Sequence, residues 1–364
     1  MSARPTVVVT GIAGNLGQRL LPLLNDYTVL GLDIHEPGAG LHPTRFEKFD
    51  LALESSCQRL IDLLRETRAV AVVHLAFVID PVRTGILDVE RMWQVNVAGT
   101  ARVMEAITEV NRAGDGTVTK FIFPSSVSAY GPELPFPVTE DYPLGAHTLP
   151  YAIHKQEADD VVRMRASALG ACTTYVLRPH IFAGATMQNY LIGALRGTVG
   201  GKSKMADWLR ARGTRLPMLL PRGDEYLVKR FQFVHVDDMA RLVAWILHRP
   251  DRGRESVILN VAGRGDSVSI QMAASIANQK IIQLPSPRVC RWVLAWLWKL
   301  GISSAPPEAL PYMIGSYLMD TSRLRAFLGS DYSHVIRYTT EQALEDTFSH
   351  AAREAEPIAT SAPA

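Results

Sequence analysis

The chain has 364 residues, of which 47% are hydrophobic and 20% charged, and its formal net charge is +2. This composition is typical of a folded globular protein with a sizeable core, and the near-neutral charge argues against a nucleic-acid partner. Its three cysteines, Cys57, Cys172 and Cys290, lie far apart and form no C-x-x-C, so the sequence predicts no disulfide framework and no metal site, and a reducing cytoplasm fits. The first core strand begins by Thr6, so we expect no secretory leader, and no apolar run reaches the roughly 18 residues of a membrane span.

The first predicted element is a buried parallel strand, because residues 7–9 form an unbroken valine run that stops at a glycine-rich turn. In that turn Gly11 permits the tight bend, Gly14 lets a pyrophosphate approach the backbone, and Gly17 lets the next predicted helix, residues 18–24, pack closely. Such glycines also occur as ordinary punctuation before a helix. The pattern predicts an α/β protein with a Rossmann-type doubly wound parallel sheet, and cofactor contacts at Gly11, Gly14, Asn15, Leu16 and Gly17.

A second predicted strand, residues 27–34, carries Asp33 near its end, 22 residues after Gly11. A carboxylate at this place accepts hydrogen bonds from the adenosine ribose hydroxyls and repels a 2′-phosphate. Because an Ile-His-Glu run follows and supplies no Lys or Arg, the sequence predicts NAD rather than NADP as the cofactor. The alternative is a solvated aspartate at the end of a strand.

A short third strand is predicted to end at Phe49-Asp50-Leu51. Asp50 is then placed to meet the edge of the adenine ring, or it is the N-cap of a helix predicted over residues 55–65, and both roles stay open. We expect Asp50 and Leu51 to contact the cofactor.

A buried strand over residues 69–76 ends in Leu75 and Ala76, where the backbone has to pass close to the cofactor. We interpret His74, within this apolar run, as a core histidine with satisfied hydrogen bonds rather than as a catalyst. A helix follows over residues 90–107, in which Asn96 and Gly99 interrupt the apolar periodicity. An asparagine on the inner side of such a helix can order a backbone segment or a water beside a catalytic lysine.

A strand over residues 119–124 leads into a serine pair, and function in a parallel sheet lies just past the carboxyl ends of strands. Tyr151 comes 25 residues after Ser126 and opens a helix predicted to reach residue 168, with Lys155 one turn later on the same face. We expect the ammonium to lower the pKa of the Tyr151 phenol from about 10, so that it exchanges a proton with a substrate hydroxyl. Ser126 would hydrogen-bond the same oxygen. Y-x-x-x-K alone is also common on surface helices.

Together these motifs resemble the extended short-chain dehydrogenase/reductase family in its NAD-dependent epimerase/dehydratase form. The resemblance rests on the glycine loop, Asp33, the Ser-Ser-x-x-x-Tyr-Gly strand end and the Tyr151/Lys155 pair, and further motifs extend it over nearly the whole chain. It implies a catalytic set of Ser126, Tyr151 and Lys155 supported by Asn96, with Ser125 as a competitor for the serine role. It also implies cofactor contacts at Tyr151, Lys155 and Pro179, and substrate contacts at Ser126, Val127 and His180.

We expect two interwoven parts. Residues 1–178 plus 232–262 would form the NAD-binding Rossmann domain, residues 179–231 plus 263–352 a substrate-binding lobe, and residues 353–364 a disordered tail. Residues 231–238 are predicted as a return strand that leads into a helix. Between Arg196 and Arg230 nine Lys/Arg stand against three acids, a local excess of +6. This favours an anionic substrate such as a nucleotide diphosphate, or an anionic membrane surface, and the alternative is a solvated loop.

One short predicted helix, residues 289–300, carries Trp292, Trp296 and Trp298 among several aliphatic residues. Three tryptophans exceed what one core face requires, which favours a lid over an apolar substrate or a helix at a membrane interface, with plain burial as the alternative. This helix and the Pro306-Pro307 break behind it are similar to family branches that act on bulky apolar alcohols and ketones, the 3β-hydroxysteroid dehydrogenase-like members.

Departures from subfamily motifs narrow the expected reaction. The Asp-Glu pair of sugar-nucleotide dehydratases is replaced by Val127-Ser128, and two motifs of galactose-type epimerases are replaced at Arg178-Pro179-His180-Ile181 and Phe231-Gln232-Phe233. We therefore favour an NAD-dependent oxidoreductase that transfers hydride at a secondary alcohol or ketone of a bulky small-molecule substrate. An NAD-dependent nucleotide-sugar epimerase is the alternative, and a non-catalytic NAD-binding regulator a minor one. Because family members often dimerise through two helices, we expect a homodimer through residues 90–107 and 151–168.

Overall fold

The computed structural model describes residues 4–349 except 39, 41, 80–84, 86–87, 115–117 and 251. The predicted tail, residues 353–364, lies outside the described residues.

A seven-stranded parallel sheet forms the centre of the described chain, in the order β11-β6-β5-β4-β1-β2-β3. The chain builds outward from β1 in one direction through β2 and β3, then returns to the other side of β1 with β4, so the strand order reverses between β1 and β4. The described strands are β1 Thr6–Thr10, β2 Thr28–Asp33, β3 Arg45–Lys48, β4 Ala71–His74, β5 Lys120–Pro124, β6 Thr173–Pro179, β7 Ile181–Ala183, β8 Met218–Pro221, β9 Arg230–Phe231, β10 Phe233–His235, β11 Ser256–Val261, β12 Val268–Ser269 and β13 Ile281–Leu284. The sheet confirms the predicted Rossmann-type fold.

Helices cover both faces of this sheet, and each face has its own apolar core. Val7 and Val9 point into the core beneath α1 and α9, whereas Val8 points into the core shared with α2, α4 and α5. Because both faces of β1 meet an apolar core, each of its successive side chains has to be apolar, which explains the continuous valine run. The described helices are α1 Asn15–Leu20, α2 Ser56–Thr67, α3 Val89–Trp93, α4 Gly99–Ala113, α5 Pro150–Arg165, α6 Tyr190–Arg196, α7 Lys204–Ala211, α8 Asp224–Leu227, α9 Val236–His248, α10 Ile270–Ile276, α11 Pro287–Lys299, α12 Leu310–Ile314, α13 Ser322–Leu328, α14 Tyr332–Val335 and α15 Thr340–Phe348.

Several element boundaries differ from the sequence-based expectation. Strand β3 ends at Lys48, so Asp50 and Leu51 lie in the turn that follows it. The helix predicted over residues 90–107 is interrupted by a π-helical turn, Gln94–Ala98, where the apolar periodicity breaks. The predicted return strand is two short strands, β9 and β10, and it stops at His235 because the His235 side chain accepts a hydrogen bond from Asp237 N and caps α9.

Beyond the main sheet, three two-stranded sheets (β7 with β10, β8 with β13, β9 with β12) surround a third apolar core. This core includes Leu195, Leu220 and Leu344, which come from three distant parts of the chain. The observed elements are compatible with a substrate lobe built from residues 179–231 plus 263–352, and this division stays a prediction. The homodimer also stays a prediction.

Helix α11 does not have the burial expected of a core helix. Trp292 is 63% exposed and Trp296 is 49% exposed, and Cys290 is the one residue of α11 that is fully buried. Plain burial is therefore wrong for Trp292 and Trp296, because the chain packs on the opposite face of the helix, whereas Trp298 is half-buried. Among the described helices, none combines the length and apolar character that a membrane span needs.

Candidate active site

A cavity of about 660 Å³ runs along the carboxyl ends of β1, β2, β4, β5 and β6. Residues that follow all five strands line it, as expected at the reversal point of a doubly wound sheet. The predicted residues that line it are Gly11, Gly14, Asn15, Asp33, Asp50, Leu51, Leu75, Ala76, Ser126, Val127, Tyr151, Pro179 and His180.

The glycine loop has no room for side chains at two of its three glycines. Gly11 has φ +72°, and a Cβ there would lie 2.5 Å from the Ala76 backbone nitrogen, so the loop crosses β4 at backbone contact. A Cβ on Gly17 would lie 2.5 Å from Ile12 O, which explains why α1 packs so closely against the loop. The N-cap of α1 is Gly14, and no side chain of the described residues caps this first turn. The loop therefore presents bare backbone to the cavity.

Two neighbours of the glycine loop do not line the cavity. Leu16 packs its side chain against the core beneath α1, and Gly17 is buried against Ile12. Their predicted cofactor contacts are therefore limited to backbone atoms. Asn15 lines the cavity, and its amide nitrogen donates to Thr186 Oγ1 at 2.8 Å, which ties the loop to the chain that follows β7.

Asp33 fastens the glycine loop to the end of β2. Its Oδ2 accepts a hydrogen bond from Ala13 N at 3.0 Å, and its Oδ1 accepts one from His35 N at 3.0 Å. The carboxylate stays at the cavity edge, beside Glu36. Among the described residues that line the cavity, the one Lys or Arg is Arg91, 3.8 Å from Asp50 Oδ2.

Asp50 caps a turn rather than the helix behind it. Its Oδ1 accepts from Ala52 N at 2.9 Å, and the N-cap of α2 is Ser55. The helix-cap alternative for Asp50 is therefore wrong, while its position in the cavity leaves the predicted cofactor contact as a proposal. Leu51 is held by a hydrogen bond from Arg102 to its carbonyl oxygen, 2.9 Å long.

His74 is a core histidine, as expected. Its two ring nitrogens lie 2.7 Å from Thr10 Oγ1 and 3.0 Å from Thr100 Oγ1, and the residue is 1% exposed. Burial, together with the nearby Lys155 charge, lowers the pKa of His74 to about 3, so the ring is neutral and structural.

The serine and tyrosine predicted to act together are in contact. Ser126 lies close enough to the Tyr151 hydroxyl to lower the pKa of Tyr151, and both residues line the cavity. The competitor, Ser125, points elsewhere: its Oγ is buried and has no hydrogen-bond partner among the described residues. The geometry therefore favours Ser126 for the serine role.

The expectation of a lowered tyrosine pKa is wrong for this structure. Burial raises the pKa of Tyr151, and the Ser126 hydrogen bond only partly offsets the increase. Lys155 contributes little because its ammonium is engaged elsewhere: Nζ donates to Pro124 O at 2.6 Å and lies 3.6 Å above the Phe77 ring. Burial also lowers the pKa of Lys155 to about 7, against a smaller opposing effect of Asp159.

Asn96 orders a backbone segment, one of the two roles foreseen for it. Its Oδ1 accepts from Val78 N at 2.7 Å and its Nδ2 donates to Val78 O at 3.0 Å. The side chain is fully buried in the π-helical turn and does not line the cavity. It acts by holding the segment that contains Phe77, whose ring meets Tyr151 edge-on at 6.0 Å.

His180 lies in the cavity wall with both ring nitrogens already engaged. Ile181 N donates to Nδ1 at 2.9 Å, and Nε2 lies 2.6 Å from Tyr317 O, so Nε2 is the protonated nitrogen. Burial lowers the pKa of His180 to about 4, more than the hydrogen bond to Tyr317 O raises it. The predicted substrate contact is therefore restricted to an uncharged ring that is 2% exposed.

A buried ion pair fixes the helix that carries Tyr151 and Lys155, and sequence reasoning did not assign it a role. Asp159, one further turn along α5, forms two hydrogen bonds of 2.9 Å with Arg178 at the end of β6. Arg178 also donates to Tyr130 OH at 2.8 Å, and that hydroxyl donates to Asn260 Oδ1 at 2.8 Å. The i, i+4, i+8 spacing of Tyr151, Lys155 and Asp159 was the available signal.

The cavity wall opposite the strand ends comes from the predicted substrate lobe and is aromatic and aliphatic, its members being Tyr190, Leu191, Ala309, Tyr312, Met313 and Tyr317. None of the nine Lys/Arg between residues 196 and 230 lines this cavity. Several instead bind backbone carbonyls, such as Arg210 with Val199 O and Gly201 O. The basic stretch therefore does not face this cavity, although Arg196 lines the neighbouring second one. Gln232 is also occupied, because it bonds the backbone of Met319 twice.

A second cavity, of about 250 Å³, shares Gln188, Asn189, Tyr190 and Met313 with the first. Its far wall is formed by Cys290, Leu294 and Leu297 of α11. The described residues gather no group of three or more His, Cys, Asp or Glu side chains that could hold a metal ion.

Comparisons with known proteins agree on one family. The family model described as "NAD dependent epimerase/dehydratase family" matches residues 7–262. A UDP-glucose 4-epimerase from Azospirillum brasilense is 28% identical over 283 residues, which cover 73% of this chain and 75% of that protein. Another from Erwinia amylovora is 32% identical over 186 residues, covering 48% of this chain and 52% of that protein, so the chain spans about half the length of this relative.

A solved structure extends the likeness over the whole fold. The crystal structure of a Thermus thermophilus UDP-glucose 4-epimerase in complex with NAD matches with a TM-score of 0.65 and 20% identity. The match covers 96% of this chain and 99% of that chain. At this identity the likeness establishes the fold.

Proposed function

The chain belongs to the NAD dependent epimerase/dehydratase family, and on that premise we propose that it is a nucleotide-sugar epimerase. Such an enzyme removes the hydride of a secondary alcohol carbon and returns it to the other face within one binding event. One observation carries the proposal: Ser126 and Tyr151 lie in one cavity with the glycine loop and Asp33, at the reversal point of the strand order. The curated relatives are UDP-glucose 4-epimerases, which makes UDP-glucose the first substrate to test.

NAD is the cofactor of this family, and the residues around the glycine loop fit it. The loop has no side chain at Gly11 or Gly14 and lies close to the sheet, since a Cβ on Gly11 would clash with the Ala76 backbone. Asp33 adds a carboxylate suited to ribose hydroxyls. Gly11, Gly14, Asn15, Asp33, Asp50, Leu75 and Ala76 would hold the cofactor, which supplies a hydride acceptor and donor when bound.

Tyr151 is the proton-transfer group of the proposal. In the oxidising half of the cycle its oxygen accepts the proton of the substrate hydroxyl, and in the reducing half it returns that proton to the ketone oxygen, so no net proton is taken up. Burial raises the pKa of Tyr151, which favours the phenol that donates its proton in the reducing half, so the oxidising half has to start from the less populated phenolate form. Ser126 holds the Tyr151 oxygen in place, and Lys155 fixes the Pro124 carbonyl beneath it.

Incubation of the NAD-supplied protein with UDP-glucose tests the proposal. We expect UDP-galactose to accumulate to an equilibrium mixture in proton NMR spectra, while the absorbance of free NADH stays flat. A Tyr151→Phe variant is the control for contaminating epimerase. Stoichiometric release of NADH, or no turnover of UDP-glucose by a protein that binds NAD, would reject the proposal.

A second candidate is net oxidation or reduction of a bulky apolar alcohol or ketone. The composition of the second-lobe wall favours it, because aromatic and aliphatic side chains line that wall and the nine basic residues between 196 and 230 do not. A diphosphate-bearing substrate calls for cations at this place. Release of NADH with an apolar secondary alcohol, and none with UDP-glucose, would select this candidate.

A further inference from the structure

Five large apolar side chains are exposed on two neighbouring helices of the second lobe. They are Trp292 (63% exposed), Trp296 (49%) and Leu300 (52%) on and after α11, and Met205 (52%) and Trp208 (49%) on α7. We call this set the tryptophan surface. Single exposed apolar residues are ordinary, whereas two exposed tryptophans in contact on one helix, Trp292 and Trp296, mark an interaction site.

Helix α11 carries apolar side chains on two sides, and only those on its inner side are covered. The inner face contributes Cys290, Leu294 and Leu297 to the side cavity. The outer face carries Trp292 and Trp296 one turn apart, with ring centroids 5.9 Å from each other. The lobe therefore accounts for the inner face and leaves the outer face without a described contact partner that would bury it.

The two helices form one rigid unit. Gly201 N donates to Ile302 O at 2.9 Å, and Ser203 Oγ donates to Gly301 O at 3.0 Å. Beneath these bonds, Leu209 of α7 and Leu297 of α11 pack against the same small core as Ile302. These bonds and the shared core place α7 and α11 side by side.

The charge around this surface is strongly positive. Residues 198–213 and 286–305 contain seven Lys/Arg and one acid, a net charge of +6, and the acid, Asp207, is paired with Arg210. Arg288, Arg291 and Lys299 flank the tryptophans of α11 and are exposed. Arg212 lies 4.1 Å from the ring centroid of Trp208. Tryptophan beside lysine and arginine is the combination found where proteins contact an anionic lipid headgroup layer.

We propose that the tryptophan surface docks this enzyme on an anionic lipid bilayer, with the tryptophan rings at headgroup depth and the basic residues on lipid phosphates. The charge distribution disfavours a second copy of the chain as the occupant, since a two-fold interface would place each +6 surface against its own copy. The positive charge alone would also suit a nucleic acid. The exposed apolar area of Leu300 and Met205 argues against that occupant, because bases stack on aromatic rings and do not need it. The proposal is independent of the reaction catalysed.

Vesicle flotation of the full-length protein tests the proposal. The probes are vesicles of pure phosphatidylcholine and vesicles in which about a third of the lipid is phosphatidylglycerol. We expect binding to the anionic vesicles, weaker binding at high salt because of screening, and a blue-shifted tryptophan emission on binding. The Trp292→Ser/Trp296→Ser variant should bind at least tenfold more weakly. Phe136→Ser, which removes another aromatic residue (57% exposed) far along the sequence, should bind like the wild type.

Each other outcome rejects the proposal. If the wild-type protein binds neither vesicle type, the surface does not bind membranes. The same conclusion follows if the double tryptophan variant binds as well as the wild type. A wild-type dimer that the double variant converts to a monomer, without vesicle binding, identifies a second copy instead, and binding of single-stranded DNA without vesicle binding identifies nucleic acid. Unchanged NAD affinity in the variant shows that it is folded.

Discussion

At the scale of single residues, Asp33 sets the expected choice of cofactor. Asp33 lines the cavity, and among the described residues Arg91 is the one Lys or Arg that also does, since Lys48, which pairs with Asp33 across the sheet, is not part of the lining, so Asp33 should reject the 2′-phosphate of NADP. We expect calorimetry to give tighter binding of NAD than of NADP. Asp33→Asn should reduce the difference between the NAD and NADP affinities, mainly by increasing the affinity for NADP. The substitution removes the negative charge but keeps one oxygen for the hydrogen bonds to the loop.

Asp26→Asn is the matched control, since Asp26 precedes the same strand at its other end and its side chain is 86% exposed. It should leave both affinities unchanged. Equal affinities for the two cofactors in the wild type would contradict the role given to Asp33.

Tyr151 carries the chemistry in this account, so removing its hydroxyl should stop turnover without emptying the cofactor site. We expect Tyr151→Phe to lose at least about 100-fold in kcat, the usual contribution of a general acid–base group. The NAD affinity of the variant, measured by calorimetry, should stay within a few-fold of the wild-type value. A variant that kept a tenth of the wild-type rate, an effect of only ~1.4 kcal/mol, would point to another proton-transfer group.

Lys155 should make the stability of the cofactor-free protein depend on pH. Its pKa is about 7 when folded and near its ordinary 10.5 when unfolded, so the unfolded chain binds more protons between these values. The penalty for burying the charged amine is complete below pH 7 and falls as pH rises. Relative to Lys155→Met, the wild type should therefore gain up to ~1.4 kcal/mol per pH unit from pH 7 to 9 in urea unfolding. A difference that is flat or falls with pH would refute the lowered pKa.

At the scale of elements, helix α5 is positioned by the Asp159–Arg178 pair. Removing the carboxylate leaves a guanidinium that is 1% exposed without its partner, which costs about 3–5 kcal/mol in comparable buried pairs. We expect Asp159→Asn to lower the free energy of unfolding by that order in urea titrations. The adjacent Asp160→Asn removes a half-exposed partner of Arg163 and should cost less than about 1 kcal/mol. Similar costs for the two variants would show that the pair does not hold α5.

Strand ends were the predictable part of the site. Buried runs and the turns after them locate the carboxyl ends of β1, β2, β4 and β5, and a parallel sheet brings those ends together whatever the helices do. This is why Gly11, Asp33, Ala76 and Ser126 meet in one cavity. The tyrosine pKa was not predictable from spacing, because it depends on where the Lys155 ammonium finds its own partners, at Pro124 O and Phe77.

At the scale of the whole molecule, the residues that the predicted second lobe contributes to the cavity could not be predicted from local sequence patterns. Tyr312 and Tyr317 reach the cavity from more than 100 residues beyond the catalytic helix, and no local pattern marks them. The charge count between residues 196 and 230 does not tell which way each side chain points: Arg215 bonds Arg196 O and Ala277 O instead of facing the cavity. The subfamily motifs favoured a dehydrogenase, whereas the curated relatives favour an epimerase.

The central claim, that one cavity removes a hydride from a sugar carbon and returns it to that carbon, is tested most directly by following an isotope. UDP-glucose deuterated at C4 would be incubated with the NAD-supplied wild-type protein, and both the nucleotide sugars and the free cofactor analysed by mass spectrometry. The account predicts that UDP-galactose forms with its deuterium retained and that free cofactor gains none. Deuterium appearing in free NADH, with an oxidised sugar nucleotide as the product, would contradict it.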